Sequence, residues 1–161
     1  MSCHVDTGEP LPEELQARLI DTQYFQTGLF LLRQLEFAIF DVELHSKPEA
    51  VDPTAMLKQI RNEVSVFQPP ACNRFAHTFS HIFAGGYAAG YYSYLWAEVL
   101  AADAFSRFLE EGLFNPEVGQ AFHNTVLAQG GSEPELVLFK RFRGREPRTD
   151  ALLQLFGLSA A

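Results

Sequence analysis

Apolar residues recur every three or four positions along most of this chain, which is the spacing of one face of an α-helix. No run of alternating apolar and polar residues is long enough to predict a strand, and no internal repeat is present. The pattern therefore predicts an all-α fold. The longer predicted helices cover about residues 22–45, 53–67, 88–111, 116–129, 133–143 and 150–156.

Helix boundaries near the N-terminus are predicted from capping and breaking residues. Residues 1–12 read as an irregular lead-in, because glycine and prolines interrupt them. A short helix is predicted to start at Pro12 or Glu13, with acidic residues in its first turn. Asp21 or Thr22 is then predicted to cap the long helix that follows.

Further along the chain the start signals are stronger. Asp52-Pro53 and Asn115-Pro116 each combine a capping side chain with a proline that suits the first helical turn. Ser132 is predicted to cap the helix over 133–143. Gly112 is predicted to end the helix over 88–111, since glycine favours the conformation that follows a helix.

The helix predicted over 22–45 is expected to be largely buried, because its apolar residues occupy more than one stripe. These residues are Phe25, Leu29, Leu32, Leu35, Phe37, Ile39 and Phe40. Four charged residues interrupt the pattern, namely Arg33, Glu36, Asp41 and Glu43. A charge on such a helix is usually paired and only sometimes functional.

The segment from His77 to Trp96 is the most unusual part of the sequence. It holds two histidines, four tyrosines, a tryptophan and the pair Gly85-Gly86, which predicts a hinge or tight turn. A helix starting at about Ala88 would place the phenols of Tyr87, Tyr91 and Tyr94 on one face. It would place Tyr92 and Trp96 on the opposite face, as bulk for a core.

Two interpretations of these phenols remain open. Phenols that converge beside a flexible loop suit hydrogen bonding to a carbonyl or an oxyanion, and His81 suits the same task as a donor. The alternative is a half-buried aromatic helix whose hydroxyl groups simply reach water.

His77 and His81 are four residues apart, which is the spacing of paired zinc ligands on a helix. Thr78 occupies the position where a helical zinc motif carries its general-base glutamate, and no further ligand is close in sequence. The spacing therefore does not predict a metal site, and His77 is predicted to be structural.

Composition and charge narrow the function. The length of 161 residues fits one domain, and 47% hydrophobic residues suffice for a core. A net charge of −8 argues against nucleic acid or an anionic membrane as partner. Cys3 and Cys72 lack metal-ligand spacing, which favours a reducing compartment. The N-terminus is unlike a signal peptide and no membrane-spanning run is present, so the predicted location is cytoplasmic.

A basic cluster lies near the C-terminal end of the helix over 133–143. Its members are Lys140, Arg141, Arg143, Arg145 and Arg148. The cluster is short and the chain is acidic, so an ion-paired or solvated helix end is predicted rather than a nucleic-acid site.

Several motifs together resemble one known family. The segment from His81 to Trp96, HIFAGGYAAGYYSYLW, is similar to the tyrosine-loop segment of the M3 family of zinc metallopeptidases. That family includes the thimet oligopeptidase, peptidyl-dipeptidase and bacterial oligopeptidase A enzymes. The similarity continues through residues 6–12 (DTGEPLP), 31–37 (LLRQLEF) and 139–147 (FKRFRGREP), so it covers nearly the whole chain.

The resemblance also has a clear departure. The family's zinc motif, His-Glu-x-x-His, occurs nowhere in these 161 residues, and neither does the segment that carries the third, glutamate ligand. Both lie upstream of this region in the family. The resemblance therefore implies that residues 1–161 form a single helical domain or a C-terminal part of a zincin-like catalytic domain. It implies zinc in the intact parent enzyme and none bound by this chain alone.

The resemblance implies an oligopeptidase that hydrolyses short peptides. It implies that this chain forms one wall of the substrate channel and is inactive by itself. Tyr94 and Tyr87 match the family tyrosines that stabilise the oxyanion or bind substrate. His81 matches the histidine that binds the substrate backbone, and Tyr91, on the same face, is expected to bind substrate as well. Gly85-Gly86 matches the flexible loop that closes over the peptide. The expected partners are short peptides and the missing zinc-bearing part of the enzyme. The alternative is a non-catalytic peptide-binding or interaction module.

Overall fold

The computed structural model describes residues 3–158 and confirms the all-α prediction. Within those residues there is no strand, only an isolated bridge between Cys3 and Pro10. Met1 and Ser2, at the start of the predicted lead-in, lie outside the described residues. The α-helices are α1 (Glu13–Thr22), α2 (Thr27–Ser46), α3 (Pro53–Val64), α4 (Phe75–Thr78), α5 (Ser93–Glu111), α6 (Pro116–Phe122), α7 (Glu135–Arg143) and α8 (Asp150–Leu155). A 3₁₀ turn at Ser80–Ile82 follows α4, and a π-helical turn at His123–Leu127 continues α6.

The strongest capping predictions are confirmed. The Asp52 carboxylate accepts hydrogen bonds from the backbone N–H groups of Thr54 and Ala55, at 2.8 and 3.3 Å, so it satisfies two donors that an α-helix leaves free at its start. The Asn115 side chain caps α6 in the same way, by accepting from the N–H of Glu117. Gly112 ends α5 with a φ of 113°, a conformation that favours glycine.

The boundary between the first two helices differs from the prediction. Asp21 and Thr22 belong to the end of α1, where the Thr22 hydroxyl donates to the carbonyl of Leu19, and neither residue caps α2. The long helix begins five residues later, after Gln26, whose φ of 58° interrupts the helical path. Phe25 therefore lies in an exposed turn and not on the buried face of α2.

Two other helix ends also differ. Ser132 does not cap α7, because Pro134 disfavours helical angles at Glu133 and the helix begins at Glu135. The Ser132 hydroxyl donates to the side chain of Gln129 instead. Helix α3 ends at Val64 and not near Phe67.

The helices form two regions with separate cores. In the first region α2 packs against α3, and α3 packs against α4, around a buried cluster of Phe40, Leu57, Ile60, Ala76, Phe79 and Ile82. In the second region α5 packs against α7 and α8. Its buried cluster contains Val99, Ala102 and Leu152. Nearby, the Phe142 ring contacts those of Phe108 and Phe122.

A buried ion network holds the first region together. Glu36 is 2% exposed, and its Oε1 accepts from Arg33 at 2.6 Å and from Arg61 at 2.8 Å. Its Oε2 accepts from the hydroxyl of Ser65, just beyond the end of α3. The charge that interrupts α2 is therefore paired, as the sequence predicts.

The basic cluster resolves into a second ion network. Asp103 on α5 is fully buried, and its carboxylate accepts from both Nη atoms of Arg145, from Nε of Arg143 and from the backbone N–H of Arg148. Arg141 instead pairs with Glu133 at the surface. The prediction of an ion-paired helix end is confirmed, and three of the five basic residues converge on one carboxylate.

Many large apolar side chains remain exposed. The most exposed aromatic residues are Phe114 at 91%, Phe25 at 76% and Phe67 at 73%. An apolar groove also runs between α5, α6 and α7, lined by residues such as Phe105, Phe122 and Leu138. Within the described part of the chain, no helix has the length and hydropathy to cross a membrane.

Candidate functional site

The tyrosine segment is a turn followed by a helix, and not a continuous helix from Ala88. Residues 83–92 form a series of tight turns, and α5 begins only at Ser93. The backbone of Ala89 has a φ of 53°, which is left-handed and uncommon for a residue with a side chain. We call residues 85–92 the tyrosine turn.

A carboxylate from α2 explains why the tyrosine turn is not helical. Asp41 is fully buried, and its Oδ1 accepts from the N–H of Ala89 at 2.9 Å. Its Oδ2 accepts from the N–H of Tyr91 at 2.8 Å. These contacts span 48 and 50 residues of sequence. The Nδ1 of His45 also lies 2.8 Å from Asp41 Oδ1, one helical turn along α2.

The two glycines meet different requirements of the turn. A Cβ at Gly85 would lie 2.8 Å from both the Cα and the carbonyl oxygen of His81, so the chain passes too close for any side chain there. Gly86 has a φ of 81°, which favours glycine. Backbone bonds close the loop, since Gly85 N–H donates to Ser80 and Tyr87 N–H donates to the carbonyl of His81.

Three phenols and one imidazole come together around this turn. The ring centroids of Tyr87 and Tyr94 are 5.2 Å apart, and those of Tyr91 and Tyr94 are 5.1 Å apart. The His81 ring lies 6.3 Å from both Tyr87 and Tyr91. All six residues that the sequence marks as candidates therefore lie in one compact group, with Gly85 and Gly86 forming its loop.

The prediction that Tyr92 and Trp96 provide bulk for a core is wrong. Tyr92 is 53% exposed and Trp96 is 41% exposed, so neither supplies bulk to a core. The side chain that packs against the core is Tyr91, whose ring contacts Phe37 and Phe79 edge-on at 5.6 and 5.1 Å. The helical phase after the turn is kept, because the Trp96 N–H donates to the carbonyl of Tyr92; what failed is the assumption that the face opposite the phenols is covered.

The surroundings of Tyr94 and Tyr91 raise the pKa of both phenols. Hydrogen bonding with the Tyr87 hydroxyl, followed by partial burial, raises the pKa of Tyr94. Burial raises the pKa of Tyr91, while the nearby positive charge of Arg33 acts in the opposite direction. A protonated phenol can donate a hydrogen bond to a developing negative charge.

Two further side chains of α2, those of Gln34 and Arg33, lie at the site. The sequence pattern indicates only Arg33, as a charge on an apolar helix. The Tyr91 hydroxyl donates to Gln34 Oε1 at 3.0 Å, which fixes the direction of that phenol. Arg33 lies over the Phe37 ring, with 4.2 Å between Cζ and the ring centroid. Gln34 carries no signal in sequence, because its role depends on a contact 57 residues away.

His77 is exposed in α4, apart from this group. Across residues 3–158 no group of three or more histidine, cysteine, aspartate or glutamate side chains is arranged to hold a metal ion. The residues described here therefore do not fit a zinc site by themselves.

Comparison with known proteins gives one consistent relationship. A family model described as Peptidase family M3 matches residues 1–158. Oligopeptidase A of Escherichia coli is 55% identical over 161 residues, which cover 98% of this chain and 24% of that protein. Organellar oligopeptidase A of Arabidopsis thaliana is 49% identical, covering 98% of the chain and 21% of that protein. Saccharolysin of Saccharomyces cerevisiae is 36% identical, covering 98% and 23%. The chain thus spans about a quarter of the length of these relatives.

Proposed function

This chain belongs to peptidase family M3, and we propose that it forms the substrate-binding wall of an enzyme that hydrolyses short peptides. The observation that carries the proposal is the group of Tyr87, Tyr91, Tyr94 and His81 around one exposed turn. In this view the chain supplies one helical part of a catalytic domain. Similarity to oligopeptidase A over nearly the whole chain supports peptides as the substrate class.

Tyr94 and Tyr87 are the proposed catalytic residues. Hydrolysis of a peptide bond passes through a tetrahedral state with negative charge on the former carbonyl oxygen, and donors placed there lower the barrier. Tyr94 is 41% exposed and Tyr87 is 38% exposed, so a substrate can reach both hydroxyls. The two rings lie 5.2 Å apart between centroids, so both hydroxyls can act on the same substrate carbonyl.

His81 and Tyr91 are the proposed substrate-binding residues. The Tyr91 proton is directed to Gln34, so its oxygen keeps lone pairs that can accept from a peptide N–H. His81 is exposed beside the same rings and can bond the peptide backbone. Gly85 and Gly86 allow the loop to approach the peptide with no side chain between them.

We propose that zinc is bound only in the intact enzyme, by residues outside this chain. The described residues offer no set of three ligands. The roles given above therefore involve only hydroxyl, imidazole and amide groups of this chain. We propose that the chain alone has no peptidase activity and binds no stoichiometric zinc. Both of its cysteines, Cys3 and Cys72, are exposed free thiols, which supports a reducing compartment such as the cytoplasm.

The test is Tyr94→Phe in the full-length M3 enzyme that contains this chain. Removing one oxyanion donor should lower kcat by about 10²–10³, with KM changed little. Tyr92→Phe is the matched control, because Tyr92 lies two residues away and is exposed outside the group. It should leave kcat unchanged. A near wild-type kcat for Tyr94→Phe would remove the catalytic assignment and favour a peptide-binding module without catalysis.

A further inference from the structure

We infer that Asp41 is the positioning residue of the tyrosine turn: its buried carboxylate sets the direction of the phenols without touching the substrate. This inference rests on the proposed function. Asp41 has no exposed surface, so it cannot meet a peptide. Its two oxygens instead accept from the N–H groups of Ala89 and Tyr91, which lie on either side of Gly90.

Holding these two amides determines the path of the chain. A helix starting at Ala88 would direct the backbone N–H groups along its own axis, and the left-handed φ of Ala89 would not occur. A left-handed conformation is unfavourable for a residue with a Cβ, so it needs support from outside the segment. The Asp41 carboxylate is the contact that provides this support, from 48 residues away.

Positioning follows because the turn connects the catalytic phenols to a fixed point. Tyr91 is bonded to Asp41 through its N–H, packs on Phe37 and Phe79, and bonds Gln34 through its hydroxyl. The Tyr94 ring rests against the ring of Tyr91. A small displacement at the catalytic groups can cost about 10²-fold in rate, so an anchor this close matters to the reaction.

The decisive variant is Asp41→Asn in the full-length enzyme. Asparagine has the same shape as aspartate, but one of its two polar groups is a donor and not an acceptor. The side-chain NH₂ would therefore lie against one of the two backbone N–H groups, which would lose its acceptor. The amides of Ala89 and Tyr91 should exchange hydrogen at least about tenfold faster. The kcat should fall by about 10- to 100-fold.

Asp103→Asn is the matched control, because Asp103 is equally buried and also accepts from a backbone N–H. It should lower the Tm while kcat and exchange in the tyrosine turn stay at wild-type values. Equal loss of kcat in both variants would show general destabilisation and overturn the inference. Unchanged turn exchange or unchanged kcat in Asp41→Asn would overturn it as well.

Rescue separates positioning from a simple packing defect. Adding Ala89→Gly to Asp41→Asn removes the cost of the left-handed φ, so it should recover roughly fivefold of the lost kcat. No recovery would contradict the positioning role. If Asp41→Asn does not fold, Ala89→Val gives the same information, because a β-branched residue resists this φ at an exposed position and leaves the carboxylate intact. Its kcat should fall with little change in Tm, and an unchanged kcat would overturn the inference.

The two claims fail in different ways. A lowered kcat for Tyr94→Phe together with a wild-type kcat for Asp41→Asn would reject the positioning role alone. Normal rates in both variants would reject the proposed function itself.

Discussion

The two regions of the molecule each contain a fully buried aspartate, and the partners of the two carboxylates differ. Asp103, in the second region, is surrounded by the guanidinium groups of Arg143 and Arg145 together with one backbone amide. Asp41, in the first region, binds two backbone amides of the tyrosine turn and the imidazole of His45. Burial is the same, since both have no exposed surface.

This difference indicates that the bonding partners of a buried carboxylate, and not its burial, determine which part of the structure it stabilises. The guanidinium groups of Arg143, at the end of α7, and of Arg145, just beyond it, join this stretch of the chain to α5, so Asp103 holds tertiary structure. The amides of Ala89 and Tyr91 are only two residues apart and belong to one short segment, so Asp41 holds a local backbone conformation. The functional role that we propose for Asp41 rests on the phenols that this segment carries.

The largest expected effect is on the Asp103 network. Asp103→Ala removes the carboxylate on which the guanidinium groups of Arg143 and Arg145 converge, which should lower the free energy of unfolding by about 3–5 kcal/mol. The measurement is denaturant unfolding of the full-length enzyme. A loss of kcat greater than the loss of folded protein would contradict this distinction between the two aspartates, because it would indicate a role for Asp103 in the reaction.

The next effect should come from Gly85→Ala. Its methyl group would lie 2.8 Å from the backbone of His81, so the loop must move while the buried cores stay intact. The kcat/KM for a quenched fluorescent peptide should fall by about 10- to 100-fold with little change in Tm. Gly131→Ala is a suitable control, because nothing lies within 4 Å of a Cβ at that position. Equal rates for both variants would show that the close approach at Gly85 is unimportant.

A pH dependence distinguishes the two regions further. Burial works to raise the pKa of Asp103, but the hydrogen bonds from Arg145, Arg148 and Arg143 outweigh it and leave the pKa below the usual 3.8. Its contribution to stability is therefore complete above pH 3.8 and is lost as the pH falls through the lower, folded-state value.

Acid unfolding followed by circular dichroism checks this expectation. As the pH is lowered below 3.8, the stability of wild-type protein should fall more steeply than that of Asp103→Asn, which has no carboxylate at this position to protonate. Parallel acid profiles for the two proteins would contradict the lowered pKa.

The smallest effect is expected for Arg141, the member of the basic cluster with an exposed ion pair, and Arg145 is its buried counterpart. Arg145→Met breaks the bidentate pair with buried Asp103 and should lower the Tm clearly. Arg141→Met breaks only the exposed pair with Glu133 and should leave the Tm unchanged within error. Similar Tm values for the two variants would show that burial of the carboxylate adds nothing to the pair.

Local signals in the sequence predicted much of the fold. The caps at Asp52 and Asn115, and the stop at Gly112, depend on residues within one helical turn, so the sequence shows them directly. The same holds for the grouping of Tyr87 with its neighbours, because a segment of a few residues keeps its side chains close whether it is a turn or a helix.

The sequence could not show features that depend on distant contacts. The start of α5 at Ser93 reflects the Asp41 carboxylate, which reaches the turn from 48 residues away. The exposure of Tyr92 is a second example, because it depends on whether distant segments cover that face, and within residues 3–158 they leave it 53% exposed. Gln34 is another example, because an isolated glutamine becomes informative only when its partner Tyr91 is known.

The central claim, that the tyrosine turn stabilises an oxyanion, is tested most directly by two affinities in the full-length enzyme. One is for a phosphinic peptide, whose tetrahedral group imitates the transition state, and the other is for a peptide substrate bound to the metal-free enzyme. Tyr94→Phe should weaken the phosphinic peptide by about 10²-fold and the substrate by less than about twofold. Equal weakening of both ligands would mean that Tyr94 binds the ground state, and an unchanged affinity for the phosphinic peptide would contradict the claim.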